Sequence, residues 1–196
     1  MTNFKDFLKK CKADRCYFAE HLLYDEEGSK YKLESHQSEM IACDDNFQVY
    51  FLGRRMGKSF ILATLCLHEA LFRKYAKIFI LSPTENQAKE LAETITGLIE
   101  RSQLVLNEVT TNNVLEKKFR NGSRIVIRTS GGKGNVSSVI GSGANLLVID
   151  EIQDVGDELI NKILPVLRGQ KGKSKFIVAG TPRNKSGFLF ESLNKQ

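Results

Sequence analysis

The sequence predicts an α/β fold built on a mostly parallel β-sheet with helices on both faces. Short, near-continuous apolar runs read as strands buried on both sides: FQVYFLG (47–53), AKIFILSP (76–83), NLLVIDE (145–151) and KFIVAGTP (175–182). Between them lie stretches whose apolar residues recur at helical spacing. A third observation concerns position. The segments GRRMGKS, SPT, DE and GTP all fall at the carboxyl ends of these strands, where such sheets bind their ligands.

Taken in order, residues 1–25 read as mainly helical, with Phe4, Leu8, Phe18, Leu22 and Leu23 apolar. Residues 34–44 form a second helix with Met40 and Ile41 inward. The strand at 47–53 ends in the turn GRRMG. A helix over 58–74 follows through Ile61, Leu62, Leu65, Cys66, Leu71 and Phe72, with His68 a packed or surface residue rather than a ligand. The strand at 76–83 stops at Pro83. Thr84 and Gln87 make a capping box opening a helix with Ala88, Leu91, Ala92, Ile95, Leu98 and Ile99 on one face. Asn121-Gly122 separates VLEKKFR from SRIVIRTS and predicts a hairpin. The Gly/Ser-rich residues 130–145 read as a long mobile loop. A helix over 157–169, interrupted late by Pro165, precedes the last strand. There are no internal repeats.

The chain has 196 residues, enough for one domain with small appendages. No apolar run approaches the roughly 18 residues of a membrane span, and the N-terminus lacks a signal-type apolar stretch. The expectation is a soluble, intracellular protein. The net charge of +6, from 29 basic against 23 acidic residues, is compatible with nucleic-acid binding and equally with a solvated surface. Cys11, Cys16 and His21 lack the tight paired spacing of a zinc site, and Cys66 reads as core.

The chemistry lies in two strand ends. Gly57-Lys58-Ser59 closes a turn between a buried strand and a helix, as in the phosphate-binding pattern G-x-x-x-x-G-K-[ST]. The first glycine is displaced: Leu52 stands where it is expected, and Gly53 comes one residue later. The backbone N–H groups of such a turn and helix start face an anion. Lys58 reaches outer phosphates, and the Ser59 hydroxyl ligates Mg²⁺. NLLVIDE delivers Asp150, suited to holding the metal, and Glu151, suited to taking a proton from attacking water. Together they describe phosphoryl transfer from a nucleoside triphosphate. Thr181, at a third strand end, offers a hydroxyl that senses the γ-phosphate, against a plain turn before Pro182. The Gln37 amide, upstream, can pair with an adenine edge, against an ordinary surface Gln.

In order and spacing, Gln37, GRRMGKS, LSPTENQAKEL, LLVIDE and AGTPRN resemble the ATPase domain of viral large terminase subunits, the DNA-packaging motors of tailed double-stranded DNA viruses. The match spans most of 34–190, and the arginine-bearing loop is typical of that family. The resemblance implies a P-loop NTPase of the additional-strand, RecA-like kind with an inserted β-hairpin. It implies a helical segment with the adenine-contacting Gln at 1–46, an ATPase core at 47–190, and at 191–196 the start of a linker to a C-terminal nuclease region. It implies ATP and Mg²⁺ as cofactors, held by Gln37, Gly53, Arg54, Arg55, Met56, Gly57, Lys58, Ser59 and Phe60, with Ser59 and Asp150 on the metal. Glu151 activates water, Lys58 and an arginine, Arg54 or Arg55, act on the γ-phosphate, and Thr181 couples hydrolysis to motion. Implied partners are double-stranded DNA, portal protein, small terminase subunit and further copies of the chain in a pentameric ring, with a monomer in isolation. The implied setting is the cytoplasm of the infected host cell, with no membrane.

Two departures stand out. Residues 129–144 contain no arginine, only Lys133, where relatives often place a trans-acting finger. Arg128, Arg168 and Arg183 are the remaining candidates. Nor does the stretch to Gln196 carry the clustered acids of a nuclease, so no nuclease activity is expected within it. Lys117, Lys118 and Arg120, and Lys171, Lys173 and Lys175, are candidate DNA-contacting clusters, with a solvated face as the default. Two other classes compete: a superfamily-2-like helicase half, and a non-catalytic DNA-binding module on the same fold.

Overall fold

The computed structural model describes residues 3–130, 143–163, 165 and 174–181. The elements in chain order are α1 (Phe4–Ala13), α2 (Arg15–Leu22), α3 (Ser35–Ala42), β1 (Phe47–Phe51), α4 (Lys58–Phe72), β2 (Lys77–Ser82), α5 (Glu85–Arg101) and α6 (Gln103–Leu106). They continue with β3 (Val109–Asn113), β4 (Glu116–Phe119), β5 (Arg124–Thr129), β6 (Leu146–Ile149), a short 3₁₀ turn (Ile152–Asp154), α7 (Asp157–Ile163) and β7 (Lys175–Gly180).

Seven strands form one sheet in the order β1-β7-β6-β2-β5-β4-β3. The first five are parallel, and β4 and β3 add on antiparallel. Side-chain alternation divides the core in two. Ile78 and Ile80 of β2, Leu146 and Val148 of β6, and Ile177 and Ala179 of β7 face the layer of helices α1–α5. Phe79, Leu81, Leu147, Ile149, Phe176 and Val178 face the opposite side, with Ile160 and Ile163 of α7. Helix α4 is buried along ten of its 15 residues, because it lies between the sheet and its neighbouring helices.

The N-terminal helical stretch is two helices. The chain is extended at Asp14 (φ −129°), whose side chain caps α2 by accepting from the Tyr17 N–H at 3.0 Å. Thr84 caps α5, accepting from the Gln87 N–H at 3.3 Å; its hydroxyl donates to Gln87 Oε1 at 2.9 Å, in place of the return bond of a full capping box. The Asn121-Gly122 hairpin is present, with Gly122 at φ +83°. Its second strand, β5, also pairs in parallel with β2, so the hairpin extends the core sheet. The polar strand β3, VTTNN, was invisible to apolar patterning and completes the edge. The expected glycine-rich loop lies mostly outside the described residues, as do the chain after Pro165 up to 173 and the proposed linker at 191–196.

Candidate active site

The site begins where β1 ends. Leu52 is buried, and its N–H donates to the Gly180 carbonyl at 3.2 Å, holding the strand end against β7. Gly53, Arg54, Arg55 and Met56 then run exposed. Arg55 (φ +64°) and Gly57 (φ +76°) both take the left-handed conformation, which turns the chain into α4. Glycine suits 57, where any side chain would be strained by the backbone and would displace Gln37. A Cβ there would stand 2.4 Å from the Gln37 amide nitrogen. The first helical bond of α4 closes from the Ile61 N–H to the Gly57 carbonyl at 3.0 Å, leaving the preceding N–H groups at a helix start.

Helix α3 supports this turn from outside. A ring nitrogen of His36 lies 3.0 Å from the Met56 carbonyl oxygen. Gln37 accepts from the Glu34 N–H at 3.1 Å through Oε1 while its amide nitrogen abuts Gly57. Gln37 thus stands against Gly57. The Phe60 side chain is buried and stacked on Tyr31, centroids 3.9 Å apart.

Alternation explains the second half of the site. Leu146, Val148 and then Asp150 share the face toward α4, and Asp150 is 5% exposed. Glu151, next in line, would point away if the strand continued. It instead adopts a left-handed conformation (φ +47°, ψ +50°), a costly one for a non-glycine residue, and its carboxylate comes back to the same ammonium as Asp150. Lys58 Nζ lies 3.2 Å from Asp150 Oδ1 and bonds Glu151 Oε1. All three side chains are largely buried. Burial pushes the Asp150 carboxyl above the ordinary aspartate range, opposed by the Lys58 charge beside it.

The 3₁₀ turn after Glu151 is pinned by buried Ile152 and Val155. It directs Gln153 back into the site. Gln153 Nε2 donates to Glu151 Oε2 and lies 3.4 Å from Asp154 Oδ2, while its Oε1 accepts from the Thr181 N–H at 3.3 Å. Lys58, Asp150, Glu151 and Thr181, far apart in sequence, thus meet at one sheet edge. Ser59 lies in the first turn of α4, next to Lys58. Sequence reading did not single out Gln153; a polar side chain between Ile152 and Asp154, two residues past the acids, was the available signal. Nor did it single out His36, the residue before Gln37.

A family model for the terminase large subunit, T4-like-virus type, N-terminal region, matches residues 49–190. The chain belongs to that family. Among solved structures, this terminase domain is similar to the large terminase of bacteriophage HK97 (15% identity, TM-score 0.79), covering 92% of this chain and 40% of that one. It is similar to the large terminase ATPase domain of Thermus phage P74-26 (18% identity, TM-score 0.69), covering 87% and 74%. The UvsW helicase of bacteriophage T4 follows (14% identity, TM-score 0.58), covering 97% and 64%. At these identities the likenesses speak for the fold, a terminase-type and helicase-type RecA-like domain. The chain spans about 40% of the length of the HK97 terminase. No curated protein matches the sequence.

The suggested basic clusters fare differently. Lys117 of β4 is fully buried, its ammonium bonding the Asn113 carbonyl and lying 3.3 Å from that of Val114, so it closes the β3–β4 turn and is not on a DNA-facing surface. Arg120 is turned onto the Asn107 carbonyl at 2.6 Å, and Lys118 lies 3.7 Å from Glu116. Lys175 pairs with Asp44. Lys171, Lys173, Arg168 and Arg183 lie outside the described residues. Arg128 sits at the end of β5, bonding the Ile127 carbonyl at 2.8 Å. Among the described residues no three His, Cys, Asp or Glu side chains group as a metal site, and none of the four cysteines is in a disulfide. Nor is any described helix long and apolar enough to cross a membrane.

Proposed function

We propose that this chain is the ATP-hydrolysing motor domain of a terminase large subunit that drives double-stranded viral DNA into a procapsid. Family membership and the fold shared with the large terminase ATPase domain of Thermus phage P74-26 support an NTPase. The observation that carries the chemistry is Lys58 shared between Asp150 and Glu151.

In that arrangement the ammonium holds the place a triphosphate would claim. Nucleotide entry draws Lys58 off the carboxylates onto phosphate oxygens, assisted by the N–H groups at the start of α4 and by Arg54 or Arg55. Glu151 is thereby released to accept a proton from the attacking water. The donor set suits Mg²⁺, a hard cation that takes a carboxylate and a hydroxyl beside phosphate oxygens; Asp150 and Ser59 would hold it. The metal would neutralise charge on those oxygens. In this reading Gln37 turns from Glu34 and Gly57 to meet adenine, and Thr181 reports the state of the site to β7. DNA, portal protein, small terminase subunit and further copies in a pentameric ring complete the reading, in the infected host's cytoplasm. Arg128, Arg168 and Arg183 are the candidates for a trans-acting arginine.

The likeness to UvsW favours a second reading, one half of a helicase-type translocase. Both share the site and differ in what they do to DNA. The test is Mg²⁺-dependent ATP hydrolysis per molecule at rising protein concentration, with Glu151→Gln alongside. Specific activity that rises with concentration and vanishes in the variant is the expected result. Absence of ATP binding would refute the motor. Strand separation on a forked duplex would favour the helicase half.

A further inference from the structure

We propose that Gln153 is a positioning residue that tethers the Glu151 carboxylate to the end of β7, so that the two move as a unit. Its kinetic consequence rests on the ATPase reading above; the tether itself does not.

Gln153 bonds in both directions, with Asp154 Oδ2 a second, longer acceptor at 3.4 Å. Its Nε2 donates to Glu151 Oε2, and its Oε1 accepts from the Thr181 N–H at 3.3 Å. These partners fix the orientation of the amide. A carboxylate only accepts and a backbone N–H only donates, so a flipped amide would lose both bonds. The two oxygens of Glu151 are divided: Oε1 bonds Lys58 and Oε2 bonds Gln153. When Lys58 turns to a phosphate, Oε1 gives up its bond to Lys58 while Oε2 keeps its bond to Gln153, and Glu151 pivots about the carboxamide. Displacement of Glu151 is then passed through Oε1 of Gln153 to Thr181. One residue earlier, the Gly180 carbonyl accepts from the Leu52 N–H, at the root of the phosphate loop. The path runs Lys58, Glu151, Gln153, Thr181 and back to the loop.

The side chain at 153 must donate one way and accept the other. Glutamate keeps the acceptor for Thr181 and sets a like charge against Glu151. Lysine keeps a donor for Glu151 and has no acceptor. Glutamate keeps the reach of glutamine, and lysine reaches at least as far. Alanine loses both bonds, and the turn remains anchored by Ile152 and Val155.

The experiment uses the full chain with Gln153→Ala, Gln153→Glu and Gln153→Lys. Hydrogen exchange of the Thr181 amide is followed without nucleotide, and binding of a non-hydrolysable ATP analogue and kcat are measured in parallel. Exchange should accelerate in the Ala and Lys variants and stay near wild type in the Glu variant. All three should lose about 10- to 100-fold in kcat, as expected for a misplaced reacting group. Their dissociation constants for the analogue should stay within about threefold of wild type, the split that separates positioning from ground-state binding. Unchanged Thr181 exchange in Gln153→Ala, or kcat within about twofold of wild type, would overturn the proposal. A wild-type chain that neither binds nor hydrolyses ATP would sink the ATPase reading alone, since the exchange pattern still decides the tether.

Discussion

Replacing Lys58 by methionine tests the electrostatic core of the site. The wild-type ammonium faces two carboxylates, with side-chain exposures of 13% for Lys58, 8% for Asp150 and 17% for Glu151. At an effective dielectric of about 20, a unit pair 3.2 Å apart attracts by about 5 kcal/mol before desolvation is counted. Desolvation offsets much of this, and breaking a largely buried pair from one side typically costs about 3–5 kcal/mol. Lys58→Met should therefore lose about 3 kcal/mol at about pH 8, read from urea unfolding midpoints at constant slope.

The pH dependence follows from Asp150. Its carboxyl is raised in the folded chain by burial, so the folded state takes up a proton before the unfolded one does as pH falls. That uptake favours folding on the acid side, in the window that opens upward from the ordinary aspartate value. Removing Lys58 takes away the charge that opposes the shift, so the window widens. The gap between Lys58→Met and wild type should narrow from about pH 8 to about pH 5. Adding Glu151→Gln to Lys58→Met should recover part of the loss, by removing one of two facing charges. A gap that stays constant with pH, or widens toward acid, would refute this account of the site.

Three other outcomes follow from single contacts. Gly57→Ala forces a Cβ into a left-handed backbone and onto the Gln37 amide 2.4 Å away; it should cost about 1–2 kcal/mol in unfolding free energy and weaken nucleotide binding in a fluorescent-analogue titration. His68 is buried, its ring nitrogen 3.1 Å from the Cys11 carbonyl oxygen, and burial lowers its pKa to about 4. The unfolded chain then binds the extra proton first, so stability falls as pH drops from about 6.5 toward about 4, by on the order of 3 kcal/mol. His68→Gln should flatten that acid limb in unfolding scans. Asn121 donates to the Ala70 and Leu71 carbonyls at 2.8 and 3.0 Å, closing the end of α4, and accepts from the Ser123 N–H at 2.9 Å. Asn121→Ala should lower stability by about 1–2 kcal/mol while leaving nucleotide affinity unchanged.

What could be read from the chain was local. A run such as NLLVIDE announces both a buried strand and the place where two acids emerge from it, because burial and alternation act over neighbouring residues. The turn before α4 was legible for the same reason, since Gly57, Lys58 and Ser59 are consecutive. Apolar patterning missed β3, whose residues are polar and whose place is set by pairing with β4. It also counted Lys117 among surface charges, although the fold buries its stem and turns its ammonium onto two carbonyls.

By itself the sequence determined the parallel sheet, the helix that starts after Gly57 and the polar residues that leave the strand ends, because hydrophobic period and turn chemistry are encoded within a few positions. Tertiary structure decided who meets whom. The sheet order sets β7 between β1 and β6, and the left-handed turn at Glu151 brings its carboxylate back to Lys58. Gln153 and Thr181, 28 residues apart, become hydrogen-bond partners because adjacent parallel strands end side by side. No local propensity contains that information; it arises when non-adjacent strands pair to bury their apolar faces.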